Sequence, residues 1–306
     1  MMQAIIHRVT RSALSLLLIS LLAFCIIASM PADPVMIAIR AWNLAATDET
    51  VAALRTQWGL DLPLGERYLI WLKGFVSGDW GRSFRTGEPV LTEFLRRLPV
   101  SLALGLSGLT LAILLAIPFG FFAALKPKGV IDRASRFLSI FVQTMPGFWL
   151  ALILLWFFGV YFKILRPFSG NYSAYILPII IISLHSLGVL TRVYRRDLLH
   201  TREQAYFTTA LAKGLSMRQA CWHHGHRSAL YAMLSAVRSE AGWVIGSTAT
   251  MEILFNLPGI SQFLVQSISA RDHMVLIAYV MVVALWMMVL NAIILTILSR
   301  LDPRAA

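Results

Sequence analysis

Three histidines, His223, His224 and His226, lie within a span of four residues. Imidazole nitrogens are common ligands of transition metals, so this cluster is the first candidate for chemistry in the chain. Three ligands so close along one segment do not by themselves reach the geometry of a metal site unless other ligands join them. We therefore expect ordinary loop histidines near helical positions, with no metal and no cofactor bound by this chain.

Catalytic motifs are absent from the rest of the sequence. No glycine is followed by a lysine, so the phosphate-binding loop GxxxxGK[ST] cannot occur, and neither HExxH nor GxSxG is found. The two cysteines, Cys25 and Cys221, are placed by the predicted topology in a membrane span and in a cytoplasmic loop, so no disulfide is expected. The sequence predicts a protein that is not an enzyme and has no catalytic residues.

The composition places the chain in a lipid bilayer. Of its 306 residues 58% are hydrophobic and 14% are charged, with a mean hydropathy of +0.71, which is more apolar surface than a soluble core can bury. Five stretches have no charged residue and are long enough to cross the membrane as helices, and a sixth contains Arg238 and Glu240. We predict an all-α, polytopic membrane protein with six transmembrane helices at 12–30, 98–125, 137–162, 167–191, 228–251 and 274–299.

The positive charges indicate the orientation. With both termini in the cytoplasm, the inner segments hold 15 Lys and Arg against 4 Asp and Glu, a difference of +11, while the outer segments hold 11 against 10. The formal charge of +12 is therefore explained by topology and anionic lipid headgroups rather than by nucleic-acid binding. The stretch His7–Met30 resembles a secretory signal, but its removal would spoil this asymmetry, so we expect it to stay as the first helix.

The chain divides into an N-terminal tail with the first span at 1–30, an extracytoplasmic segment at 31–97 and a five-helix core at 98–306. The extracytoplasmic segment has balanced charges and many aromatic residues between Gly and Pro breaks. This pattern is typical of short amphipathic helices that lie on the bilayer. Such helices serve either as a packing lid over the bundle or as a docking surface for a soluble delivery protein, and both readings stay open.

A basic, helix-prone segment at 201–230 lies between the fourth and fifth spans. Ala205, Ala210 and Ala212 precede Lys213 and Gly214, a pattern that predicts a helix, a turn and a second helix, with the glycine at the turn. A polar segment of this kind on the cytoplasmic side indicates contact with a soluble partner.

The same segment resembles the "EAA" coupling loop of permease subunits from ATP-binding-cassette importers. We place this loop at 196–228. Further pieces extend the resemblance to the dipeptide, oligopeptide and nickel permease family, first-subunit type, over nearly the whole chain: WGLDLPL at 58–64, GDWGRSF at 78–84, PGFWL at 146–150, EILFNLPG at 252–259, Arg271 and Asp272, and LDPR at 301–304.

The resemblance implies a multi-pass protein of the bacterial inner (cytoplasmic) membrane that pairs with a second homologous permease subunit. Two ATPase subunits, which use ATP and Mg, are expected inside, and a substrate-binding protein outside. The substrate implied is nickel, a metal chelate, a dipeptide or an oligopeptide, and the stretch 38–64 slightly favours nickel. By resemblance, coupling to the ATPase is assigned to Tyr206, Thr209, Ala210, Ala212, Lys213, Gly214 and Leu215.

The alternative is a self-contained secondary carrier or channel. Internal repeats and paired intramembrane acids are typical of carriers, and the sequence has no convincing repeat.

Charges within the fifth span depart from the family pattern, which has a Gly-rich turn there. Because residues two apart on a helix face different ways, we expect Arg238 and Glu240 to have separate partners. Either they lie near the cytoplasmic interface, where water reaches them, or they belong to an inner gate or to the contact with the second permease.

Pro258 and Gly259 predict a re-entrant or interfacial turn after the fifth span rather than a seventh helix. Three residues beside this turn, Glu252, Phe255 and Asn256, are candidates for lining the outer mouth of the pathway by which the substrate crosses the membrane. Within the spans, Pro118, Pro146 and Pro178 are expected to produce packing kinks rather than gates, and His185 is expected to face a neighbouring helix.

Overall fold

The computed structural model describes residues 2–30, 33–165 and 172–301. Within these ranges the chain is helical and has no β-strand beyond an isolated bridge between Arg82 and Pro89. The predicted all-α class is therefore confirmed. The first residues of the predicted fourth span, 167–171, and residues 302–304 of the closing LDPR motif lie outside the described residues.

The chain forms two compact units. The first consists of Met1–Val100 and Pro258–Met288, and the second of Ser101–Leu257 and Val289–Ala306. Two long helices, α5 (Val90–Leu125) and α13 (His273–Leu301), contribute to both units.

The first unit contains the first predicted span and the predicted amphipathic segment. It has α1 (Met2–Ala28), α2 (Pro34–Ala41), α3 (Asp48–Gln57), α4 (Leu64–Ser77) and α12 (Ile260–Ser269), with the start of α5 and most of α13. The segment 33–97 does form short helices, as predicted, and each has a recognisable boundary. The Asp33 carboxylate caps α2, the Thr47 hydroxyl caps α3, and Gly78 ends α4 at a φ of +89°.

Helix α4 packs against α1 and α13 through aromatic and aliphatic side chains. Trp71 of α4 is buried with Phe24 of α1 and with Leu276 and Ile277 of α13. This cluster holds α4 against the long apolar helices α1 and α13 of the same unit.

The second unit contains the remaining helices: α6 (Val130–Thr144), α7 (Gly147–Leu154) with a π-helical continuation at Leu155–Tyr161, α8 (Ser173–Arg202), α9 (Ala205–Ala212), α10 (Met217–Ala220), a π-helical turn at Cys221–Gly225, and α11 (His226–Leu254). Helix α8 packs against both α6 and α11. A Cβ atom at Gly188 of α8 would lie 3.0 Å from the Ser139 Cα of α6, so a glycine is needed for these helices to approach.

The described helices include four that are long and apolar enough to cross a membrane: Thr10–Ala28, Val90–Leu125, Ser173–Arg202 and His273–Leu301. A fifth exists if α6 and the α7 segment count as one broken span. The predicted fifth span, 228–251, falls in α11, which has 29 residues but is not among these apolar helices. The count of six stays a prediction.

The predicted span at 137–162 is bent at Pro146, where a kink was expected. The chain turns by 106° between Val130–Thr144 and Gly147–Tyr161. Met145 has extended backbone angles, φ −84° and ψ 133°, because a residue before proline is disfavoured in the helical conformation, and Pro146 then begins the next helix. Pro178, by contrast, lies inside the continuous helix α8.

Candidate coupling helix and buried polar residues

The helix, turn and helix expected at 201–230 are present. Helix α9 ends at Ala212 with Lys213 as its C-cap, and Gly214 follows with a φ of +90°, a conformation that side chains disfavour. The Gly214 and Leu215 N–H groups donate to the Leu211 and Ala210 carbonyls at 2.9 and 3.3 Å, which closes the helix end. The next helix, α10, begins at Met217, and the side chain of its N-cap residue Ser216 forms a reciprocal capping box with Gln219.

The two faces of α9 differ in exposure. Phe207 and Ala210 are buried within the chain, at 1% and 5% exposure, and hold the helix in place. The remaining positions assigned to coupling are open to a partner except for Leu215, which is half-buried: Tyr206, Thr209, Ala212, Lys213 and Gly214. Ala210 thus lies on the inner face, and only Ala212 of the two alanines is accessible.

Helix α9 is joined to the membrane helices on its N-terminal side. The Arg202 guanidinium at the end of α8 donates to the Ala124 carbonyl at the end of α5, at 2.8 Å, and Thr201 is buried. Past the loop, a Cβ atom at Gly225 would lie 2.7 Å from the Leu198 Cδ2. These contacts brace the base of the loop while the outer face of α9 stays open.

The three clustered histidines have different surroundings. His226 is hydrogen-bonded to the Tyr194 hydroxyl, and its ring stacks on Trp222 with centroids 4.2 Å apart. His223 and His224 are exposed. Among the described residues no group of three His, Cys, Asp or Glu could hold a metal ion. Burial lowers the pKa of His226 and raises the pKa of the neighbouring Cys221 thiol.

Arg238 and Glu240 have separate partners, as expected from their spacing. The Arg238 Nε donates to the Asn291 Oδ1 at 2.8 Å and the side chain is exposed. The buried Glu240 carboxylate accepts a hydrogen bond of 2.7 Å from the Ser186 hydroxyl of α8. The two charges therefore do not neutralise each other.

The three residues predicted near the outer mouth of the translocation pathway differ in how exposed they are. Glu252 is fully buried and accepts a hydrogen bond of 2.6 Å from Ser101, and Phe255 is buried as well. Asn256 is exposed and adopts a φ of +50°. The predicted break at Pro258 and Gly259 is confirmed, since α11 stops at Leu254 and the chain resumes as α12, which is too short to cross a membrane.

A cavity of about 310 Å³ in the second unit is lined by residues on both sides of the bend, among them Val142 of α6 and Gly147 of α7. His185 lines it and stacks on Trp243 of α11, with ring centroids 3.7 Å apart. The expectation that His185 faces a neighbouring helix is therefore confirmed.

The sequence did not predict the structural role of two buried carboxylates, each of which joins separate segments of the chain. Asp132 is fully buried in α6 and forms an ion pair of 2.6 Å with Arg195 of α8, while also accepting from Arg136 and the Lys128 N–H. Asp272 is fully buried and accepts from the Ser83 hydroxyl at 2.5 Å. Both acids lie at the start of a helix, which is visible in the sequence, but this position does not predict which residue the carboxylate contacts.

The chain was compared with known proteins. It matches the family model "Binding-protein-dependent transport system inner membrane component" over residues 116–306, and the N-terminal model of the same type over 1–105.

Similar full-length relatives include the dipeptide transport system permease protein DppB of Lactococcus lactis subsp. cremoris, 31% identical over 99% of this chain and 99% of the relative. A putative peptide transport system permease protein of Brucella abortus is 30% identical over 98% of each chain, and DppB of Escherichia coli K12 is 27% identical over 99% and 98%. The chain therefore belongs to the inner membrane components of binding-protein-dependent transport systems, the permease subunits of ATP-binding-cassette importers.

Proposed function

We propose that this chain forms one half of the translocation pathway of an ATP-driven importer of dipeptides or oligopeptides. A second, homologous permease supplies the other half, two ATPase subunits bind on the cytoplasmic side, and a substrate-binding protein delivers the peptide from outside. ATP and Mg are used by the partner subunits.

The open outer face of α9 is the observation that carries the proposal. Tyr206, Thr209 and Lys213 are exposed on a helix whose other side is held by the buried Phe207. An ATPase that grips this face would move α9 as a rigid body, because Arg202 and the Ala124 carbonyl link the preceding helix α8 to α5. Closure of the motor would thus reach the membrane helices and switch the pathway between outward and inward access.

The cation count supports the proposed orientation. Six spans with both termini in the cytoplasm place 15 of the 27 Lys and Arg on the inner side with only 4 acids, and they put α9 where an ATPase can reach it. In this arrangement α11 is the fifth span despite Arg238 and Glu240, since the first pairs with Asn291 and the second with Ser186.

Peptides are the substrate class supported by the relatives, whose names refer to dipeptide or peptide transport. The slight preference for nickel drawn from residues 38–64 has no support in those names. The pathway is therefore proposed to carry peptides.

Replacement of Gly214 by proline tests the coupling role. Proline holds φ near −65°, so it cannot adopt the φ of +90° found there, and it also removes the N–H that donates to Leu211. We expect the variant to insert and assemble but to lose peptide-stimulated ATPase activity. Gly214→Asn is the matched control, because asparagine tolerates a positive φ and keeps the N–H.

Unchanged stimulation of ATPase activity in the proline variant would contradict the proposal that α9 couples the ATPase to the membrane helices. The alternative of a self-contained carrier is tested by reconstituting the chain alone in liposomes. An importer subunit should be inactive without ATPase subunits and should co-purify with them, whereas a carrier would transport peptide by itself.

A further inference from the structure

A cavity of about 510 Å³ lies in the first unit. Its lining comes from the end of α1, the end of α3, helix α4 with the loop after it, and the first turn of α13. Three aromatic side chains form part of the wall: Trp58 and Phe84, whose rings stack with centroids 4.4 Å apart, and Trp71. Concave sites with aromatic walls and a few polar groups are typical of small-molecule binding.

One polar group in the lining lacks a partner at a buried position. His273 is 8% exposed, and its Nε2 makes no hydrogen bond within the described residues. A buried, unsatisfied donor or acceptor is costly and uncommon in folded proteins. This nitrogen is therefore available to a molecule that enters the cavity.

Arg67 of α4 lines the same cavity and is partly buried. Its guanidinium forms no hydrogen bond or ion pair with any residue of the described ranges, although burial lowers its pKa and so disfavours its charge. A guanidinium in such surroundings binds a carboxylate well, because its planar N–H groups match the two oxygens.

The other charged residues in the lining are already engaged with backbone. Arg82 donates to the Gly87 carbonyl at 3.0 Å, and the Asp79 Oδ1 accepts from the Gly81 N–H at 3.1 Å. A carboxylate and guanidinium groups in one lining suit a ligand with both an ammonium and a carboxylate group.

We propose that this cavity is a peptide site on the permease itself, in which Arg67 and His273 bind the C-terminal carboxylate. The aromatic wall receives an apolar side chain, and Asp79 favours the N-terminal ammonium. The site rests on the proposed function, since it assumes a peptide importer with the segment 33–97 outside the membrane. It adds a place where the peptide is held after it leaves the binding protein.

The test uses the full chain in nanodiscs of phosphatidylcholine, without the binding protein. Binding of the dipeptide Ala-Phe and of its C-terminal amide is measured by calorimetric titration at pH 7. We expect the wild type to bind Ala-Phe about tenfold or more tightly than the amide, because the amide cannot form the charged pair. Arg67→Gln should lose this preference, so that both ligands bind equally weakly.

Arg40→Gln, at an exposed arginine of α2 that does not line the cavity, is the matched control and should bind as the wild type does. His273→Gln is a second variant and should weaken Ala-Phe binding several-fold. Unfolding temperatures of all variants show whether each protein is folded. Equal binding of Ala-Phe and the amide by the wild type, or full affinity in folded Arg67→Gln, would overturn the site.

Peptide transport by the assembled complex is measured separately. Transport without Arg67-dependent binding would overturn the site and leave the proposed function intact. Arg67-dependent binding by a complex that transports no peptide would support the site and contradict the proposed function.

Discussion

The Ser83 hydroxyl donates a hydrogen bond of 2.5 Å to the carboxylate of Asp272, a residue 189 positions later in the chain and fully buried. The same carboxylate accepts from the Arg85 N–H at 3.2 Å. It therefore joins the loop before α5 to the start of α13 within the first unit.

Asp272→Ala should destabilise the chain by about 2–3 kcal/mol, because the Ser83 hydroxyl and the Arg85 N–H would lose a charged acceptor in a buried setting. The measurement is the unfolding temperature in detergent. Asp61→Ala, at an exposed position, is the control and should unfold as the wild type does. An equal effect of the two substitutions would show that the buried acceptor is unimportant.

The buried pair of Asp132 and Arg195 should respond differently to single and double substitution. Arg195→Met leaves the buried Asp132 carboxylate with Arg136 and the Lys128 N–H as its remaining donors and should cost roughly 1.5–3 kcal/mol. The double variant Asp132→Asn with Arg195→Met removes the buried charge and should recover much of that loss. Additive effects in a double-mutant cycle of unfolding free energies would contradict the pairing.

Close packing of α5 against α8 should make Gly120 intolerant of a side chain. A Cβ atom there would lie 2.8 Å from the Tyr194 ring and 3.1 Å from the Thr191 carbonyl. Gly120→Ala should therefore destabilise the chain by about 1–3 kcal/mol. Gly246→Ala meets nothing within 4 Å and serves as the control. Equal unfolding temperatures for the two variants would count against this contact.

The half-buried His226 should make stability sensitive to acid. Burial lowers its pKa in the folded state, so the unfolded chain binds the proton more readily, and stability should fall as pH drops through about 6.5 and below. Unfolding temperatures are compared at pH 7.5 and 5.5. His226→Gln, which can still hydrogen-bond Tyr194, should show a smaller decrease, and an undiminished decrease would assign the effect elsewhere.

Hydropathy predicted the all-α class and the four long apolar helices, because a bilayer requires such helices. The turn at Gly214 could also be predicted from the sequence, since few residues besides glycine adopt a positive φ. The angle of the bend at Pro146 could not be predicted, because proline predicts a break in a helix but not how the next helix packs. The division between Ala210 and Ala212 depends on how Phe207 is buried, and Ser83 and Asp272 are too far apart in sequence for any local pattern to join them.

The most direct measurement of the central claim is the accessibility of α9. Thr209→Cys is introduced after Cys25 and Cys221 have been replaced by serine, and a membrane-impermeant maleimide is applied to intact cells and to inside-out vesicles. We predict labelling only in inside-out vesicles, and protection from labelling once the ATPase subunits are assembled. Labelling from the outside of intact cells would place α9 beyond the reach of any cytoplasmic motor and contradict the importer mechanism.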